Sequence, residues 1–536
     1  MIHEYLLLTV ALLLAVLLLV MVGQQLKISY PIFLVIAGAI ISVVPGIPNI
    51  RIDPDLVFLI FLPPILYEAA WYTSWRDFWK WKRPISLLAF GLVLLTSTIV
   101  AYFSSAVIPG FTLATGFLLG GIISPPDAVA ATSVLKNVRI PKRLLTILEG
   151  ESLVNDASSL IVFKFALAAI ITGQFVLQQA VGDFFLLAGM GIVIGLLIGF
   201  MMYAIHRFLP TTPSIDTALT LLTPYLMYIS AEYFHFSGVM AVVTGGLFLS
   251  YHSHVIFTYQ SRLQATGVWS TLIFVMNGVV FILIGLELPV VMGGLESIST
   301  AEGIKYGILI SILIIVIRLA WTYIIAFVPR ALFRSIRESE PSPGWKGPLI
   351  ISVSAMRGVV SLAAAFTIPL LLPGGEGFPN RNTILLITFV VIVITLVGQG
   401  LLLPHILKLI KMDEIDDIKP RGEQEAGIQL RLKKVSLNLL KEKYTQLTET
   451  NELVANLMSQ LENDTMLTQQ KLDSLECDEI DNQELNELHQ VMVEILSKQR
   501  EELARLRFDK TYSDEVLRSQ ASQLDLEEAT LNETRH

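Results

Sequence analysis

Apolar residues in this chain fall into blocks of about 20, broken by short polar stretches, as far as residue 410. A block of that length crosses a hydrocarbon core of roughly 30 Å as an α-helix. The pattern predicts spans at about 3–22, 29–46, 54–72, 84–108, 113–134, 146–172, 181–206, 214–235, 237–251, 266–291, 303–329, 348–372 and 382–410. Beyond residue 411 the pattern changes. Gly427–Tyr444, Leu485–Phe508 and Asp514–Leu531 carry apolar residues at three- and four-residue spacing among Leu, Glu, Lys and Gln, the mark of amphipathic helices.

Two of the predicted spans are interrupted. The fifth contains Ile123-Ser124-Pro125-Pro126-Asp127-Ala128, and paired prolines remove helical hydrogen bonds and clash with the preceding turn. The twelfth contains Ser354-Ala355-Met356-Arg357-Gly358, a charge beside a glycine. If spans 1–6 and 8–13 are two halves, each break falls in the fifth helix of its half. The halves enter from opposite sides, and matched breaks of this kind point to a transport site near mid-membrane. The expected fold is therefore all-α: a polytopic membrane protein of about 13 transmembrane helices, built as two inverted six-helix repeats with two interrupted helices, plus a helical cytoplasmic tail.

Composition agrees: 53% of the 536 residues are hydrophobic and 16% charged, where soluble domains average about 25% charged. Residues 1–411 carry 23 Lys and Arg against 18 Asp and Glu, a net of +5, and residues 412–536 carry 15 against 28, a net of −13. Two domains follow, a transmembrane domain over 1–411 and an acidic helical tail over 412–536. The first residues lack the basic start of a signal peptide and read as the first span. Loops after the odd-numbered spans hold fifteen cations: Lys27, Arg76, Lys80, Lys82, Arg83, Lys136, Arg139, Lys142, Arg143, Arg207, Arg262, Arg330, Arg334, Arg337 and Lys346. The opposite loops hold three, Arg51, Lys305 and Arg381. This asymmetry places the N-terminus outside and the tail in the cytoplasm. The one cysteine, Cys477, excludes an internal disulfide and a cysteine metal cluster.

The candidate chemistry lies in span 6. Glu151, Ser152, Asn155, Asp156 and Ser159 share one face of an otherwise apolar helix. A charge at mid-membrane costs at least roughly 2.5–3.5 kcal/mol. A carboxylate there must take a proton or hold a cation, so Asp156 can exchange one for the other. Asn155 adds an amide without a second charge, as a ligand or a helix-to-helix bond. Asp127 sits where the break frees backbone carbonyls, which are oxygen ligands for a hard cation, or caps the broken helix. Glu151 needs a partner: Arg318 first, Arg357 as the alternative, in a structural ion pair. Glu68 either faces the site from the cytoplasmic side or marks the interface. Lys164 is expected to snorkel outward, Glu232 and Glu287 to be interfacial, and Trp71, Trp75, Trp79 and Trp81 to form an aromatic belt.

Gly150-Glu151-Ser152-Leu153-Val154-Asn155-Asp156-Ala157, Pro-Pro-Asp-Ala-Val-Ala at 125–130, Arg357-Gly358-Val359-Val360-Ser361-Leu362-Ala363, and Phe274 to Phe281 followed by Gly285-Leu286 resemble the monovalent cation/proton antiporter 1 family. The likeness is to its bacterial NhaP-like sodium/proton antiporters and covers residues 5–410. It implies a homodimer in the bacterial inner membrane whose core domain moves against a dimerisation domain. It implies that Asp156 binds cation and proton alternately with Ser152 and Asn155 nearby, and that the Asn-Asp pair goes with electroneutral exchange. It supports the Glu151–Arg318 pair and makes Glu68 a second acid near the site. Many relatives have Thr where this chain has Pro126, so ligands besides Asp156 and Asp127 must be backbone carbonyls, Ser124 or water.

The reading that follows is a non-enzymatic secondary antiporter of Na⁺, Li⁺ or K⁺ against H⁺, serving pH homeostasis, with no cofactor and with the bilayer and a second copy as partners. No nucleic-acid or disulfide partner is expected. The alternative is an ion-sensing or channel-like protein gated by its tail, but a lone titratable aspartate with two broken helices favours alternating access over a pore. An ATP-driven pump lacks a phosphate-binding loop, and Asp509-Lys510-Thr511 is followed by Tyr512 where a pump motif needs Gly.

Overall fold

A computed structural model describes residues 2–26, 28–44, 59–135, 140–173, 177–293, 299–339, 342, 344–372, 375–410, 421–476, 482–506 and 514–533. Lys27, Arg51, Lys136, Arg139, Cys477, the domain boundary at Met412 and the Asp509–Tyr512 stretch lie outside the described residues, as do the end of span 29–46 and the start of span 54–72. The chain forms two compact units, Met1–Asp416 and Asp417–His536. Among the described residues the structure is all helix, apart from one antiparallel bridge between Leu371 and Gly377.

The first unit opens with α1 (Ile2–Gln25), α2 (Tyr30–Ser42) and α3 (Leu62–Tyr72), and a short surface helix α4 (Trp75–Lys80) follows. Helix α5 (Lys82–Val107) widens into π-helical turns over Leu87–Leu92. Next come α6 (Leu113–Ile123) and α7 (Ala128–Leu135), the two pieces of the first interrupted span. The long helices α8 (Lys142–Thr172), α9 (Leu177–Phe208), α10 (Pro213–Tyr233), α11 (Gly238–Ile256) and α12 (Tyr259–Leu286) lead to the short α13 (Leu288–Gly293). Then follow α14 (Thr300–Leu332), the short α15 (Arg334–Ser339), the second interrupted pair α16 (Lys346–Val353) and α17 (Val359–Phe366), and α18 (Arg381–Ile410).

Among the described residues nine helices are long and apolar enough to cross a membrane. Their apolar side chains face outward as well as inward: Leu7, Val10, Leu14 and Leu18 of α1 are exposed while Val16 and Val20 turn inward. In water that would be untenable; against lipid it is the expected arrangement. Several boundaries differ from the sequence expectation, among them the end of span 348–372, where helix stops at Phe366. Span 237–251 extends to Ile256, and span 266–291 begins at Tyr259, where the Thr258 hydroxyl accepts the Ser261 N–H at 3.2 Å. The polar Tyr259–Ala265 stretch reads as loop by hydropathy, yet the capped helix continues through it.

Two apolar cores lie side by side. One gathers Ile85, Leu118, Ile122, Phe281, Ile314 and Ile384; the other gathers Tyr67, Met227, Ala241, Leu249 and Trp269. Helix α8 runs between them. Its Leu148 and Phe163 join the first core, while Leu153, Val154 and Ala157 join the second. In the second core α9 meets α11 through Gly191 and Gly195: a Cβ at Gly195 would lie 2.2 Å from the Ala241 carbonyl oxygen. Small residues four apart allow this approach, the usual device where helices associate in lipid.

The second unit holds two helical hairpins. Helix α19 (Arg421–Lys443) packs on α21 (Glu452–Glu476) after a short α20 (Thr445–Thr450), with Lys433 bonded to the Thr468 hydroxyl at 2.8 Å and Lys441 paired to Glu462. Helix α22 (Asn482–Leu506) packs on α23 (Asp514–Glu533), and Arg500 bridges to Asp525 and Glu528. Three helices are expected from periodicity here. The short α20 and helix α21 are the additions, the Asn, Thr and Asp residues of α21 having weakened the signal.

Candidate cation site

The two interrupted spans cross at their breaks. The Asp127 N–H donates to the Met356 carbonyl at 2.7 Å, and the Arg357 N–H donates to the Thr395 hydroxyl at 3.2 Å. Each half-helix end then meets a charge of the sign it needs. The Arg357 guanidinium Nε donates to the Ile123 carbonyl at 2.6 Å, at the negative C-terminal end of α6. Arg318 Nε and Nη2 donate to the Ile351 carbonyl at 3.2 and 3.1 Å, near the C-terminal end of α16. Asp127 caps the positive end of α7, its Oδ1 accepting the Val129 N–H at 2.8 Å with the Ala130 N–H beside it. The same carboxylate lies over Gly358, the residue that starts α17: a Cβ there would be 1.9 Å from Asp127 Oδ2. Only glycine leaves that room.

Helix α8 holds the first break in place. The Ser152 hydroxyl accepts the Ala128 N–H at 3.0 Å, and Asn155 Nδ2 donates to the Pro126 carbonyl at 2.9 Å. The polar stripe divides by angle. Glu151 and Asp156 are five residues apart, about 140° around the helix, and they serve different neighbours. Glu151 forms a two-point pair with Arg318, Oε1 to Nη1 at 2.6 Å and Oε2 to Nη2 at 2.8 Å, both side chains fully buried. Asp156 turns toward the crossing, 8% exposed, within electrostatic range of Asp127. Beside it, Asn155 Oδ1 is a buried acceptor with no donor among the described residues. The site can thus offer a hard cation the Asp156 carboxylate, the Asn155 carbonyl oxygen and backbone carbonyls of the breaks.

The other residues distribute as follows. The Ser124 hydroxyl donates back to the Gly121 carbonyl at 3.3 Å, and the Ser159 hydroxyl to the Asp156 carbonyl at 3.0 Å, both within their own helix. Arg357 bonds the helix end at Ile123, while Glu151 is held by Arg318. Glu68 lines a cavity of about 80 Å³ with Trp71, Thr220, Arg262 and Trp269. It lies within electrostatic range of Glu149 and Tyr30, and Tyr30 lies within range of Asp127. Tyr30, Glu149 and Thr395 carry no motif, and periodicity does not single them out.

Lys164 is half exposed, and its Nζ bonds both carboxylate oxygens of Glu232 at 3.1 Å, tying α8 to α10. Two expectations are corrected. Glu287 is buried rather than interfacial, because it lies where α12 passes into α13 inside the bundle. The four tryptophans are not one belt. Trp75 and Trp79 are exposed and stacked, whereas Trp81 is buried under the Arg143 guanidinium and Trp71 packs on Tyr67 and Phe257.

Residues 10–409 match the family model described as "Sodium/hydrogen exchanger, transmembrane". The chain belongs to the sodium/hydrogen exchanger family. Within that family it is 32% identical over 386 residues to the "Sodium, potassium, lithium and rubidium/H(+) antiporter" of Bacillus pumilus (strain SAFR-032), covering 70% of this chain and 57% of that one. The chain thus aligns with a little over half the length of that relative. The "Uncharacterized Na(+)/H(+) exchanger Rv2287" of Mycobacterium tuberculosis (strain ATCC 25618 / H37Rv) is 30% identical over 530 residues, 97% of this chain and 95% of its own. The exchanger fold is shared with the sodium proton antiporter MjNhaP1 from Methanocaldococcus jannaschii, with a TM-score of 0.57 at 20% identity over 75% of this chain and 97% of that structure. The family model and these relatives are named for cation/proton exchange, and membership together with the apolar helices makes the chain a multi-pass membrane protein.

Proposed function

We propose that this exchanger carries one Na⁺, or Li⁺ or K⁺, against one H⁺, with Asp156 as the group that both ions neutralise in turn. The observation that carries the reading is the buried Asp156 carboxylate beside Asn155 Oδ1, an acceptor with no donor among the described residues, against two crossed chain breaks. Out of water an unpaired carboxylate is costly, so the empty, charged state is the least favourable one to move. Proton and cation each cancel the same single charge. The loaded site therefore carries the same net charge in both directions, and exchange is electroneutral. Asp127, engaged at the starts of α7 and α17, shapes the site and adds negative potential. Ser152 and Asn155 hold the first break to α8. Ser124 contributes through its backbone, and Glu68 with Glu149 forms an acidic approach.

The reading extends to architecture. Thirteen spans in two inverted repeats, a homodimer in a bacterial inner membrane, an outside N-terminus and a cytoplasmic tail fit the loop charges and the paired breaks. Residues 1–411 are the antiporter domain and 412–536 an acidic tail that tunes it. The test is proton flux in proteoliposomes on addition of Na⁺, Li⁺ or K⁺. Cation-dependent flux that Asp156→Ala abolishes is expected. Wild-type exchange by that variant sinks the mechanism, and a rate that follows an imposed K⁺-diffusion potential sinks the one-for-one stoichiometry.

A further inference from the structure

We propose that a cavity between α8 and α10 is the outer vestibule of the exchange path, and that the Lys164–Glu232 pair is the clasp that shuts it off from Asp156. The inference rests on the antiport reading and adds the route by which the outer solution reaches the site. The cavity has a volume of about 460 Å³. Its walls come from helix ends that the loop charges assign to the outer side: Leu167 late in α8, Glu232 in the last turn of α10, Val239 at the start of α11 and Thr367 just past α17. Along α8 the order outward is Asp156, Leu160, Lys164 and Leu167. At the rise of a helix these last three stand about 6, 12 and 17 Å beyond Asp156, and Leu160 and Leu167 lie within about 40° of it around the axis. The vestibule therefore stands over the face that carries the carboxylate. Leu160 is the layer between them, and it packs against both apolar cores. An apolar constriction of this kind excludes water and a hydrated ion.

The clasp lies one turn further out than Leu160. Lys164 Nζ holds both Glu232 oxygens, and Glu232 Oε1 also accepts the Gly238 N–H at 3.3 Å. The carboxylate thus belongs to the corner where α10 turns into α11, and the lysine to the helix that carries Asp156. For the outer solution to reach Asp156, α8 must part from that corner at Leu160, and the pair spans the same parting. Protein interiors leave few voids larger than a water molecule, so walls around a space of this volume are not held by packing across it. The pair is the polar link between them. Its strength suits a contact that opens and closes: the two side chains are 49% and 35% exposed, so solvent screens the attraction. The fully buried Glu151–Arg318 pair is the opposite case, a fixed brace. Lys164 and Glu232 are also the only charged groups among the described lining residues, so the closed vestibule is neutral.

The experiment reads accessibility rather than transport. The full chain carries Cys477→Ser, which removes its one native thiol, and either Leu160→Cys or Leu167→Cys. Right-side-out membrane vesicles are treated with a membrane-impermeant, cationic methanethiosulfonate. Leu167→Cys, in the vestibule wall, should be labelled in every background. Leu160→Cys should be labelled slowly with the pair intact and about threefold faster in Lys164→Gln and in Glu232→Gln, the shift that loss of a screened pair allows. The exchanged pair Lys164→Glu/Glu232→Lys should return to the slow rate. Lys142→Gln, which breaks the 2.9 Å pair with Asp77 at the other end of the same helix, should leave the rate unchanged. A mere change of local potential would speed the cationic reagent in Lys164→Gln and slow it in Glu232→Gln. That opposite pattern overturns the clasp, as does an equal effect of Lys142→Gln, and an unlabelled Leu167→Cys overturns the vestibule. Should Leu160→Cys fail to fold, Val239→Cys on the facing wall is read against the same criteria. Cation-dependent proton flux in the same vesicles separates the two readings: flux with unaltered labelling removes the clasp alone, and faster labelling without flux removes antiport alone.

Discussion

Breaking the Glu151–Arg318 pair gives the sharpest test of how the core is held. Both side chains are at most 2% exposed, the two contacts are 2.6 and 2.8 Å, and Arg318 also supplies two bonds to the Ile351 carbonyl. Removing one partner leaves the other charge stranded, which costs about 3–5 kcal/mol. Arg318→Gln should be the worse single change, because it also withdraws donors from a buried carbonyl, a further ~1–3 kcal/mol. If the two effects were independent, the double variant Glu151→Gln/Arg318→Gln would lose roughly 7–13 kcal/mol on those figures. Because the charges cancel one another, it should lose little more than the milder single change, so the coupling is about as large as the Arg318→Gln loss itself, roughly 4–8 kcal/mol. The exchanged pair Glu151→Arg/Arg318→Glu restores the attraction but not the donors to Ile351, so it should fall short of wild type by about 1–3 kcal/mol. Graded SDS unfolding of the purified protein reads all four. Losses that add within about 0.5 kcal/mol would refute the pairing as the source of the stability, and full rescue by the exchanged pair would refute the part assigned to Ile351.

Other outcomes follow from the same geometry. Lys164→Ala should cost less than about 1 kcal/mol in the same assay, because the Lys164–Glu232 pair is 49% and 35% exposed and solvent screens it; a loss as large as that of Glu151→Gln contradicts this. Gly358→Ala puts a methyl 1.9 Å from Asp127 Oδ2 and 2.6 Å from its Cβ, so cation-dependent proton flux should fall at least tenfold, and unchanged flux would show that Asp127 need not stay where it is. Gly195→Val sets a branched side chain against the Ala241 carbonyl across the α9–α11 contact and should destabilise by roughly 1–3 kcal/mol; a wild-type unfolding midpoint would mean the helices can separate freely. Residues 417–536 expressed alone should give a strongly helical circular dichroism spectrum, since they form their own compact unit, and a coil spectrum would show that the unit needs the rest of the chain.

The sequence by itself determined the class of molecule. Blocks of about 20 apolar residues, the paired prolines at 125 and 126, and the stripe from Glu151 to Ser159 are local features. Their cost in a bilayer can be judged without knowing what lies opposite. The membrane character and the two interrupted helices were therefore legible, and hydropathy missed a helix start where a polar turn continues the helix, as at Tyr259. Partnership was decided by the tertiary structure. Which arginine meets Glu151, and that the other closes the end of α6 at Ile123, depends on how spans some 170 to 230 residues apart are packed. The same holds for Thr395 under Arg357, Lys164 against Glu232, and Arg143 over Trp81. A single helix shows which of its residues share a face, because its angles are fixed at 100° per residue. What that face touches is set by packing across helices, where the need to satisfy every buried charge selects one arrangement.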